Sequence, residues 1–578
     1  MILQALTEYY DALEQKGEIS RAGWCRAKTA FAICLNEKGE LTNILPLKEE
    51  VDRGNRKVEI SRDMTVPAQV TRTAGVKANF LCDNGSYLLG IDAKGNPERT
   101  KICLNASAKL HKDLLLNVDC VEAQAICSYF QNWDTENASE HPAVETLLEE
   151  LKAGGNLVFR VGNKFAHEVD LICEAWDALQ EEASDEPVMQ CLITGKRAPV
   201  ARLHRPVKGV RDAQSSGAAL VSFNAPAFES FEKSQSYNSP VCEEAAFSYT
   251  TALNSLLADR NRRIFMGDST IVFWAETAET AYQDFFQTAL DPSADFDEMD
   301  LIQAMQRLAR GDFFDFDGVS LSPETKFYIL GLSPNAARIA VRFFYRNRFG
   351  DVARNILEHY ERLEVVRPSF DNRKYLSVGS LLQETVNKNS RDKNATPLLA
   401  GSVLRSVFNN TRYPAALLNG VILRIRAEQD INRGRAAIIK ACLIKNYEKV
   451  EALKEVLTVE LNEQTTFQPY VLGRLFAVLE SLQERANPGI NTTIKNKYFN
   501  SACATPEMIF PVLFKLSQSH LRKLDTGLGI YFDKMITELT GKITETYPAH
   551  HSLQEQGAFQ LGYYHQKQKF FEKKKEEE

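Results

Sequence analysis

The chain has 578 residues, a formal net charge of −7, 44% hydrophobic residues and 25% charged residues. These values are typical of a soluble globular protein with roughly two to four domains. The acidic balance excludes a generic basic coat for nucleic acid.

Membrane and cysteine signals in the sequence indicate the compartment. No uninterrupted apolar run approaches the roughly 18 residues that a membrane span needs, and the N-terminus is typical of an amphipathic helix rather than a signal peptide. The eleven cysteines are scattered and form no C-x-x-C pair, which disfavours a zinc ribbon and favours a reducing compartment. We therefore expect a cytoplasmic protein with no membrane contact, no metal and no cofactor.

The first part of the chain mixes strand and helix signals. Two hairpins are predicted, one in TAFAICLNEKGELTNILPL with its turn at Lys38-Gly39, and one in ANFLCDNGSYLLGID with its turn at Asn84-Gly85. NLVFRVGN and STIVFWAE predict further strands, and helices are predicted over 117–132, 141–152 and 242–259. This irregular alternation predicts an α+β domain over residues 1–382, with a loop-rich β segment at about 190–235.

The strand signals fade beyond about residue 383. Stretches such as PAALLNGVILRIRAEQ, RGRAAIIKACLIKNYE and QPYVLGRLFAVLESLQERA carry apolar residues at helical spacing, and Pro, Gly or Asn separates them. They predict an all-α bundle of roughly six helices over 383–578. The predicted fold is thus an α+β N-terminal domain followed by an all-α C-terminal helical bundle.

Positive charge is concentrated in a few stretches of this acidic chain. Residues 385–449 contain twelve basic and four acidic residues, a net charge of +8. Arg338, Arg342 and Arg346 recur at every fourth residue, which predicts that they stack on one helix face. A solvated arginine face explains any single stretch equally well, but the stretches together favour contact with a polyanion.

Two further segments, 64–82 and 187–211, contain Lys and Arg but no acidic residue. The second leads into a loop of small polar residues, GVRDAQSSGAALVSFNAPAFESF. Basic side chains of this kind position a nucleic acid through its phosphates, while Gln, Asn and Ser on short loops reach base edges. The alternative, which composition alone favours, is a tight structural turn whose Ser and Gln satisfy neighbouring backbone groups.

An enzyme is the other class of function to consider. GDFFDFDGVSL contains a D-x-D pair, Asp315 and Asp317, a spacing found in haloacid-dehalogenase-type phosphatases at the end of a core strand. No doubly wound pattern follows, and the chain contains neither a phosphate-binding P-loop nor a nucleophile elbow. A metal-dependent phosphatase or nuclease that uses Asp315 and Asp317 is therefore kept as the alternative, and a binding or assembly role is favoured.

Long stretches of the sequence carry a resemblance to a known family. They include MILQALTEYYDAL, RTAGVKANFLCDNGSYLLGID, CLITGKRAPVARLHRPVKGVRDAQSSGAALVSFNAPAFESF and QEQGAFQLGYYHQKQ, and they span the chain to about residue 568. Together they resemble the large subunit of the type I-C CRISPR surveillance complex, Cascade.

The resemblance implies a non-catalytic subunit that recognises the protospacer-adjacent motif in double-stranded DNA. Such a subunit aids duplex opening and R-loop stabilisation and helps to recruit the nuclease-helicase, while base pairing with the guide reads the remaining sequence. The implied partners are guide RNA, target DNA, the nuclease-helicase, and the backbone, guide-processing and small subunits. The C-terminal bundle resembles separate small subunits of related complexes, and in the family the small subunit is made by internal translation.

The site residues are predicted from loop chemistry, not transferred from the family. We expect 69–79 and 196–224 to lie on one face and to hold the duplex. The residues predicted to contact the motif and duplex are Gln69, Arg72, Thr73, Lys77, Asn79, Lys196, Arg197, Arg202, Arg205, Lys208, Arg211, Gln214, Ser215, Ser216 and Asn224. Those predicted to contact single-stranded DNA in the bundle are Arg424, Arg426, Arg433, Arg435 and Lys440.

Overall fold

The chain forms two compact units in a computed structural model that describes residues 1–53, 56–70, 72, 75–91, 96–182, 186–292, 298–390 and 395–572. Apart from the first two residues, the first unit contains Leu3–His204 and Phe223–Thr251. The second unit contains Arg205–Ser222 and Ala252–Glu578. The domain boundary predicted at residue 382 therefore falls inside the second unit.

The first unit is built on a mixed sheet of seven strands in the order β3-β4-β1-β6-β5, with β2 also paired to β1 and β7 to β6. The central strand β1 is antiparallel to β2 and β4 and parallel to β6. Ala30–Ile33 of β1 are buried continuously, as in a strand covered on both faces. The strands are β1 (Trp24–Leu35), β2 (Leu41–Pro46), β3 (Lys48–Arg53), β4 (Arg56–Pro67), β5 (Cys82–Asn84), β6 (Asn156–Val161) and β7 (Lys164–Phe165).

Helices complete the core of the first unit. Tyr129 and Ile126 of one helix pack with Phe31, Ile33 and Phe159 of the sheet. The helices are α1 (Ile2–Gln15), α2 (Gly85–Leu88), α3 (Pro97–Leu115), α4 (Val121–Asn132), α5 (Pro142–Glu145), α6 (Leu148–Ala153) and α7 (Asp170–Glu182). The segment that follows is loop-rich and contains one short pair of strands, β8 (Val188–Gln190) and β9 (Arg197–Pro199).

The two hairpin predictions have different outcomes. The hairpin with its turn at Lys38-Gly39 is confirmed, because β1 and β2 pair across it. The hairpin at Asn84-Gly85 is wrong. Asn84 is the N-cap of α2, where its side chain accepts a hydrogen bond from the amide of Ser86 at 3.1 Å, a role that Asn fills as readily as a turn.

The sheet of the second unit is antiparallel, with the order β10-β11-β14-β15. Every residue of β11 is buried, and this strand pairs with β10 on one side and β14 on the other. Aromatic side chains of β11, β14 and the adjoining helices, including Phe273, Phe286 and Phe327, form its core. The elements up to residue 363 are α8 (Glu243–Ala258), β10 (Arg263–Met266), β11 (Ser269–Ala275), α9 (Thr280–Leu290), α10 (Glu298–Arg310), β12 (Phe314–Phe316), β13 (Val319–Leu321), β14 (Lys326–Asn335), β15 (Arg338–Arg348) and α11 (Phe349–Leu363).

The arginine series Arg338, Arg342 and Arg346 lies on strand β15, so its predicted placement on a helix is wrong. Strand pairing with β14 overrides the apparent helical spacing. Arg342 has no partner in the register with β14, which shifts at this point and indicates a β-bulge. Its guanidinium instead forms an ion pair with Asp268 at 2.8 Å.

The rest of the second unit is helical. Helices α17 and α21 approach each other so closely that a Cβ added to Gly473 would lie 1.9 Å from the carbonyl oxygen of Phe559. A Cβ added to Gly562 would lie 2.2 Å from the carbonyl oxygen of Tyr470. The helices are α12 (Val378–Gln383), α13 (Pro397–Phe408), α14 (Ala415–Glu428), α15 (Arg433–Asn446), α16 (Glu451–Lys454), α17 (Gln468–Ala486), α18 (Ile494–Ala504), α19 (Pro506–Leu521), α20 (Thr526–Gly541) and α21 (Leu553–Phe571).

The predicted fold class is confirmed. Sheets and helices alternate in the N-terminal part, and among the described residues only helices follow β15. The apolar cluster of the bundle is continuous with that of the β10–β15 sheet. In the described part of the chain, no helix is both long enough and apolar enough to cross a membrane.

Candidate nucleic-acid interface

The buried carboxylate of Asp83 organises the 69–79 loop. Its oxygens accept hydrogen bonds from the guanidinium of Arg72 and from the amide of Asn79 at 2.8 Å. Arg72 also donates from Nε to the carbonyl oxygen of Lys77 at 2.6 Å and stacks over Tyr87 at 3.9 Å from the ring centre. The Arg72 side chain is therefore held within the fold, and its charge is opposed by Asp83.

The other described residues of this loop divide into anchors and an exposed cation. Asn79 is buried and accepts a hydrogen bond from the amide of Val70 at 2.9 Å, while Gln69 donates to the carbonyl oxygen of Cys82 at 3.3 Å. The side chain of Lys77 is exposed. Thr73 lies outside the described residues. Lys77 is thus the predicted site residue of this loop that is best placed to meet a phosphate.

The predicted site residues of the 196–224 segment are all exposed. Three of them precede residue 205 and so belong to the first unit: Lys196, Arg197 and Arg202. Arg197 begins β9, and Lys196 directly precedes it. Arg202 donates to Gln235 at 2.9 Å and lies 3.6 Å from a carboxylate oxygen of Glu186. Asn224 also lies in the first unit and is exposed. This group is a set of surface cations with partial compensation by acids.

Residues 207–218 of the second unit form a folded turn with a polar tip. An antiparallel bridge joins Val207 to Ala218, and both side chains are buried. Gly217 has φ 103, and a Cβ there would lie 2.7 Å from the Cβ of Pro206, so the turn requires glycine. Gln214, Ser215 and Ser216 are exposed at its tip.

The turn is fixed to helix α8 and to the sheet of the second unit. The amide of Lys208 donates to Asn254 at 2.8 Å, and the amide of Arg211 donates to Thr270 at 2.9 Å. Beyond the turn, Ala219 exchanges backbone hydrogen bonds with Ala337 and Ile339 at 3.1 and 2.9 Å. The polar tip is therefore displayed by a rigid support, which a loop that reads bases needs.

An exposed aromatic ring beside the turn was missed by the sequence reasoning. Phe265 is 44% exposed and lies close to two guanidinium groups, that of Arg263 at 5.1 Å and that of Arg211 at 5.8 Å from the ring centre. Aromatic rings flanked by arginines are typical platforms for stacking nucleic-acid bases. The signal in the sequence was RNRRIF, a basic cluster that ends on an aromatic residue shortly before the predicted strand STIVFWAE.

The five cations predicted in the bundle separate into two classes. Arg424 and Arg426 are partly exposed; Arg424 lies 3.8 Å from Glu428, and Arg426 donates to Gln556. The remaining three are buried and paired within the unit: Arg433, Arg435 and Lys440. A DNA contact by these three stays a prediction, but in this structure their side chains already bind carboxylate or carbonyl groups of the protein.

The partners of the buried cations are specific. Arg433 donates to Asp371 at 3.1 Å, and Arg435 donates to Glu384 at 3.1 Å and to Glu428. Lys440 donates to the carbonyl oxygen of Glu364, and burial lowers the pKa of its ammonium group. These contacts stabilise the packing of α15 because a buried charge is tolerated only when it is paired.

The D-x-D pair has a structural explanation. Asp315 lies on β12, and Asp317-Gly318 forms the two-residue turn between β12 and β13. Both turn residues have positive φ, 49° and 78°, the conformation for which Asp-Gly turns are selected. In the described part of the chain, no group of three or more His, Cys, Asp or Glu side chains is arranged to hold a metal ion.

Comparison with known proteins identifies the chain first as a CRISPR-associated protein. Residues 6–571 match the model of the Cas_Csd1 family, whose description is CRISPR-associated protein. Because the match covers nearly the whole chain, the protein belongs to the Cas_Csd1 family and is a Cascade subunit. This confirms the resemblance found in the sequence. No curated protein matches the chain.

Proposed function

We propose that this Cascade subunit is the non-catalytic large subunit of a type I-C complex and that it recognises the protospacer-adjacent motif in duplex DNA. The observation that carries the proposal is the 207–218 turn, which displays Gln214, Ser215 and Ser216 just after Lys208 and Arg211, whose backbone amides anchor the turn. Amide and hydroxyl groups read base edges, while flanking cations fix the register through phosphates.

In the proposed mechanism, exposed cations position the duplex and the polar tip reads it. Lys77, Lys196, Arg197, Arg202, Arg205, Lys208 and Arg211 would contact phosphates. Once the motif is bound, the Phe265 ring and its flanking arginines offer a surface for an unstacked base. This combination supports local opening of the duplex next to the motif, after which pairing with guide RNA reads the target.

The helical part has a separate role in this proposal. Arg424 and Arg426 would contact the displaced single strand and stabilise the R-loop, with Arg433, Arg435 and Lys440 supporting the helices that carry them. The other subunits of the complex and the nuclease-helicase would be protein partners. Cleavage is assigned to the recruited nuclease-helicase, because the D-x-D pair has a turn-forming role in this chain.

The decisive experiment replaces Gln214 by Ala in the assembled complex. We expect discrimination between duplexes with the correct and with altered motifs to fall by about 1–3 kcal/mol, because a bidentate amide contact to one base is lost. Gln464→Ala, at an exposed glutamine of the second unit, is the matched control and should leave discrimination unchanged. Equal affinities of wild type and Gln214→Ala for every duplex would show that the turn is structural.

A further inference from the structure

Cys191 and Cys242 are 51 residues apart in sequence, yet the backbone of one contacts the side chain of the other in the first unit. The amide of Cys242 donates to Sγ of Cys191 at 3.3 Å. Two backbone contacts fix this neighbourhood: the amide of Leu192 donates to the carbonyl oxygen of Pro240 at 2.9 Å, and Val200 forms an antiparallel bridge with Cys242. Both cysteines are free thiols.

The surroundings of Cys191 favour a reactive thiolate. Besides Cys242, the amides of Ile193 and Thr194 donate to its sulfur at 3.4 and 3.5 Å, so three N–H groups converge on one atom. Cys242 directly precedes helix α8, so the sulfur also lies at a helix N-terminus. Burial raises the pKa of Cys191, but hydrogen bonds from Cys242 and Thr194 outweigh it and lower that pKa below the ordinary value.

We propose that Cys191 and Cys242 form a reversible disulfide when the protein meets a peroxide, and that this cross-link modifies the candidate DNA-contact segment. The Cys191 thiolate attacks one peroxide oxygen, the O–O bond breaks, and the other oxygen leaves as water after taking a proton. The Cys242 thiol then attacks the sulfenic sulfur, the S–O bond breaks, and the second oxygen leaves as water with the Cys242 proton. Two thiols are oxidised by two electrons, and the peroxide is reduced to two water molecules.

A peroxide is the oxidant that fits this site. Both sulfurs are buried, but the turn that covers Cys191 exposes Leu192, Thr194 and Gly195, so local opening of a few residues admits a molecule close to water in size. A bulky disulfide would need a larger opening. Intracellular disulfides of this kind are typically transient and redox-sensing.

The consequence for DNA rests on the proposed function. A disulfide closes a covalent ring over residues 191–242, which contains ten of the predicted DNA contacts, from Lys196 to Asn224. It also removes the thiolate that accepts from the amides of Ile193 and Thr194, so the turn next to Lys196 and Arg197 must rearrange. We therefore expect the oxidised protein to bind duplex DNA several-fold more weakly.

Peptide mass spectrometry of the full chain after treatment with hydrogen peroxide tests the cross-link. A peptide pair joining Cys191 to Cys242 should appear, lighter by two hydrogens than its reduced parts, and dithiothreitol should reverse it. In Cys242→Ser the sulfenic acid on Cys191 should persist and react with dimedone. Cys442 and Cys503, whose thiol pKa values are raised by burial, are internal controls and should stay reduced. Oxidation of Cys442 and Cys503 at the same rate as Cys191, or a cross-link found only in unfolded chain, would overturn the proposal.

A second measurement tests the effect on DNA. Wild-type complex and Cys242→Ser complex are compared for binding to a protospacer duplex, before and after peroxide. Several-fold weaker binding by oxidised wild type, with no change in Cys242→Ser, supports the proposed effect. An unchanged affinity despite a complete cross-link overturns the effect on DNA. Loss of motif discrimination is measured separately with Gln214→Ala, so failure of the proposed function would be distinguishable from failure of this redox chemistry.

Discussion

Asp83 shows how a single buried residue determines which of its neighbours can bind a ligand. Its carboxylate is 1% exposed and receives both terminal nitrogens of Arg72. Because the pair neutralises itself, Arg72 contributes to the shape of the 69–79 loop, while the exposed Lys77 contributes its charge. The two basic residues of this loop should therefore respond differently to the same substitution.

Lys77→Ala should weaken duplex binding and reduce the slope of log affinity against log salt by about one unit, because one phosphate contact is lost. Arg72→Ala should instead destabilise the first unit by about 3 kcal/mol, because it leaves the buried Asp83 carboxylate without its partner. Salt-dependent binding and urea unfolding measure the two effects, with Lys109→Ala on α3 as the control. If Arg72→Ala changed only the salt slope, Arg72 would be a phosphate contact after all.

His111 is a buried neutral base whose two ring nitrogens are both in use. Nε2 accepts from the amide of Leu81 at 3.0 Å, and Nδ1 lies 2.8 Å from the carbonyl oxygen of Ser107, to which it donates. Burial lowers its pKa from 6.5 to about 4, the hydrogen bond to Ser107 offsetting only part of the effect. Protonation would place a second N–H against the Leu81 amide.

Stability should therefore fall on acidification below pH 6.5, because the unfolded chain binds a proton at this position that the folded chain does not. The contribution of His111 is complete above that pH and declines by about 1.4 kcal/mol per pH unit until the pH approaches the folded pKa. We expect the free energy of unfolding, measured in urea between pH 7 and pH 5, to depend less steeply on pH in His111→Gln than in wild type. The difference should correspond to one proton fewer bound on unfolding. The exposed His550→Gln is the control, and an unchanged slope in His111→Gln would contradict the assignment.

For single residues, the sequence shows which side chains are charged, but it does not show which of those charges are free to bind a ligand. The charge of residues 385–449 was visible, but Glu384, Asp371 and Glu364, which contact its buried cations, precede that window. The groups that pair with these cations, including the backbone carbonyl of Glu364, are neighbours in space, and a linear count does not include them. For the 207–218 turn the composition was more informative, because an exposed polar tip was one of its two interpretations.

Helices α17 and α21 form the tightest contact among the elements of the bundle. Gly473 and Gly562 let the two backbones meet directly, with no side chain between them. Gly401, in contrast, lies in α13 with no atom within 4 Å of an added Cβ. The same residue type thus has a packing role in one helix and none in the other.

Gly473→Ala should destabilise the second unit by 3 kcal/mol or more, well above the roughly 1–3 kcal/mol of ordinary overpacking, because its Cβ would strike a carbonyl oxygen rather than a movable side chain. The matched control Gly401→Ala should stabilise by about 0.5–1 kcal/mol, since Ala is the better helix former and the space is open. Thermal unfolding measures both. Similar small effects in the two variants would mean that α17 and α21 separate at little cost.

Element prediction from sequence succeeded where local signals agreed with the tertiary context. The hairpin at Lys38-Gly39, the β6 and β11 strands and the helix beginning near Val121 all match their apolar patterns. The wrong predictions concern segments whose local sequence is compatible with two structures. Asn84-Gly85 suits a turn or a helix cap, and 338–346 suits a helix or a strand. Only pairing with the preceding strand β14 distinguishes the helix and strand interpretations of 338–346.

The family resemblance implies that the same gene also encodes a second, shorter polypeptide, a small subunit made by internal translation. The sequence has no Met between Met305 and Met508, so a small subunit translated from inside this gene needs a non-AUG start. Candidate starts are Val450, Leu453, Val456, Leu457 and Val459. A product from there would keep α17 through α21, the helices that contact one another around the Gly473 and Gly562 crossing.

We expect intact-mass analysis of the purified complex to show this product in more than one copy. It would lack α15, so the Gly557 face of α21, which contacts Ile439 and Leu443 in the full chain, would be exposed and available to a neighbouring subunit. A synonymous change at the start codons should remove the product and shorten R-loop lifetime. Detection of full-length chain alone, with R-loop formation unaffected by that change, would contradict the prediction.

The parallel pairing of β1 with β6 has a consequence for how the chain folds. The side chain of Asn156 donates to the carbonyl oxygen of Lys28, 128 residues earlier, and β6 completes the sheet beside β1. Contacts between such distant segments form slowly, because the intervening chain must be ordered first. The local β1–β2 hairpin should form early. Until β6 pairs with it, the other edge of β1 stays unpaired, and this intermediate is prone to aggregation. Chaperone dependence during synthesis should therefore be greatest in this first unit.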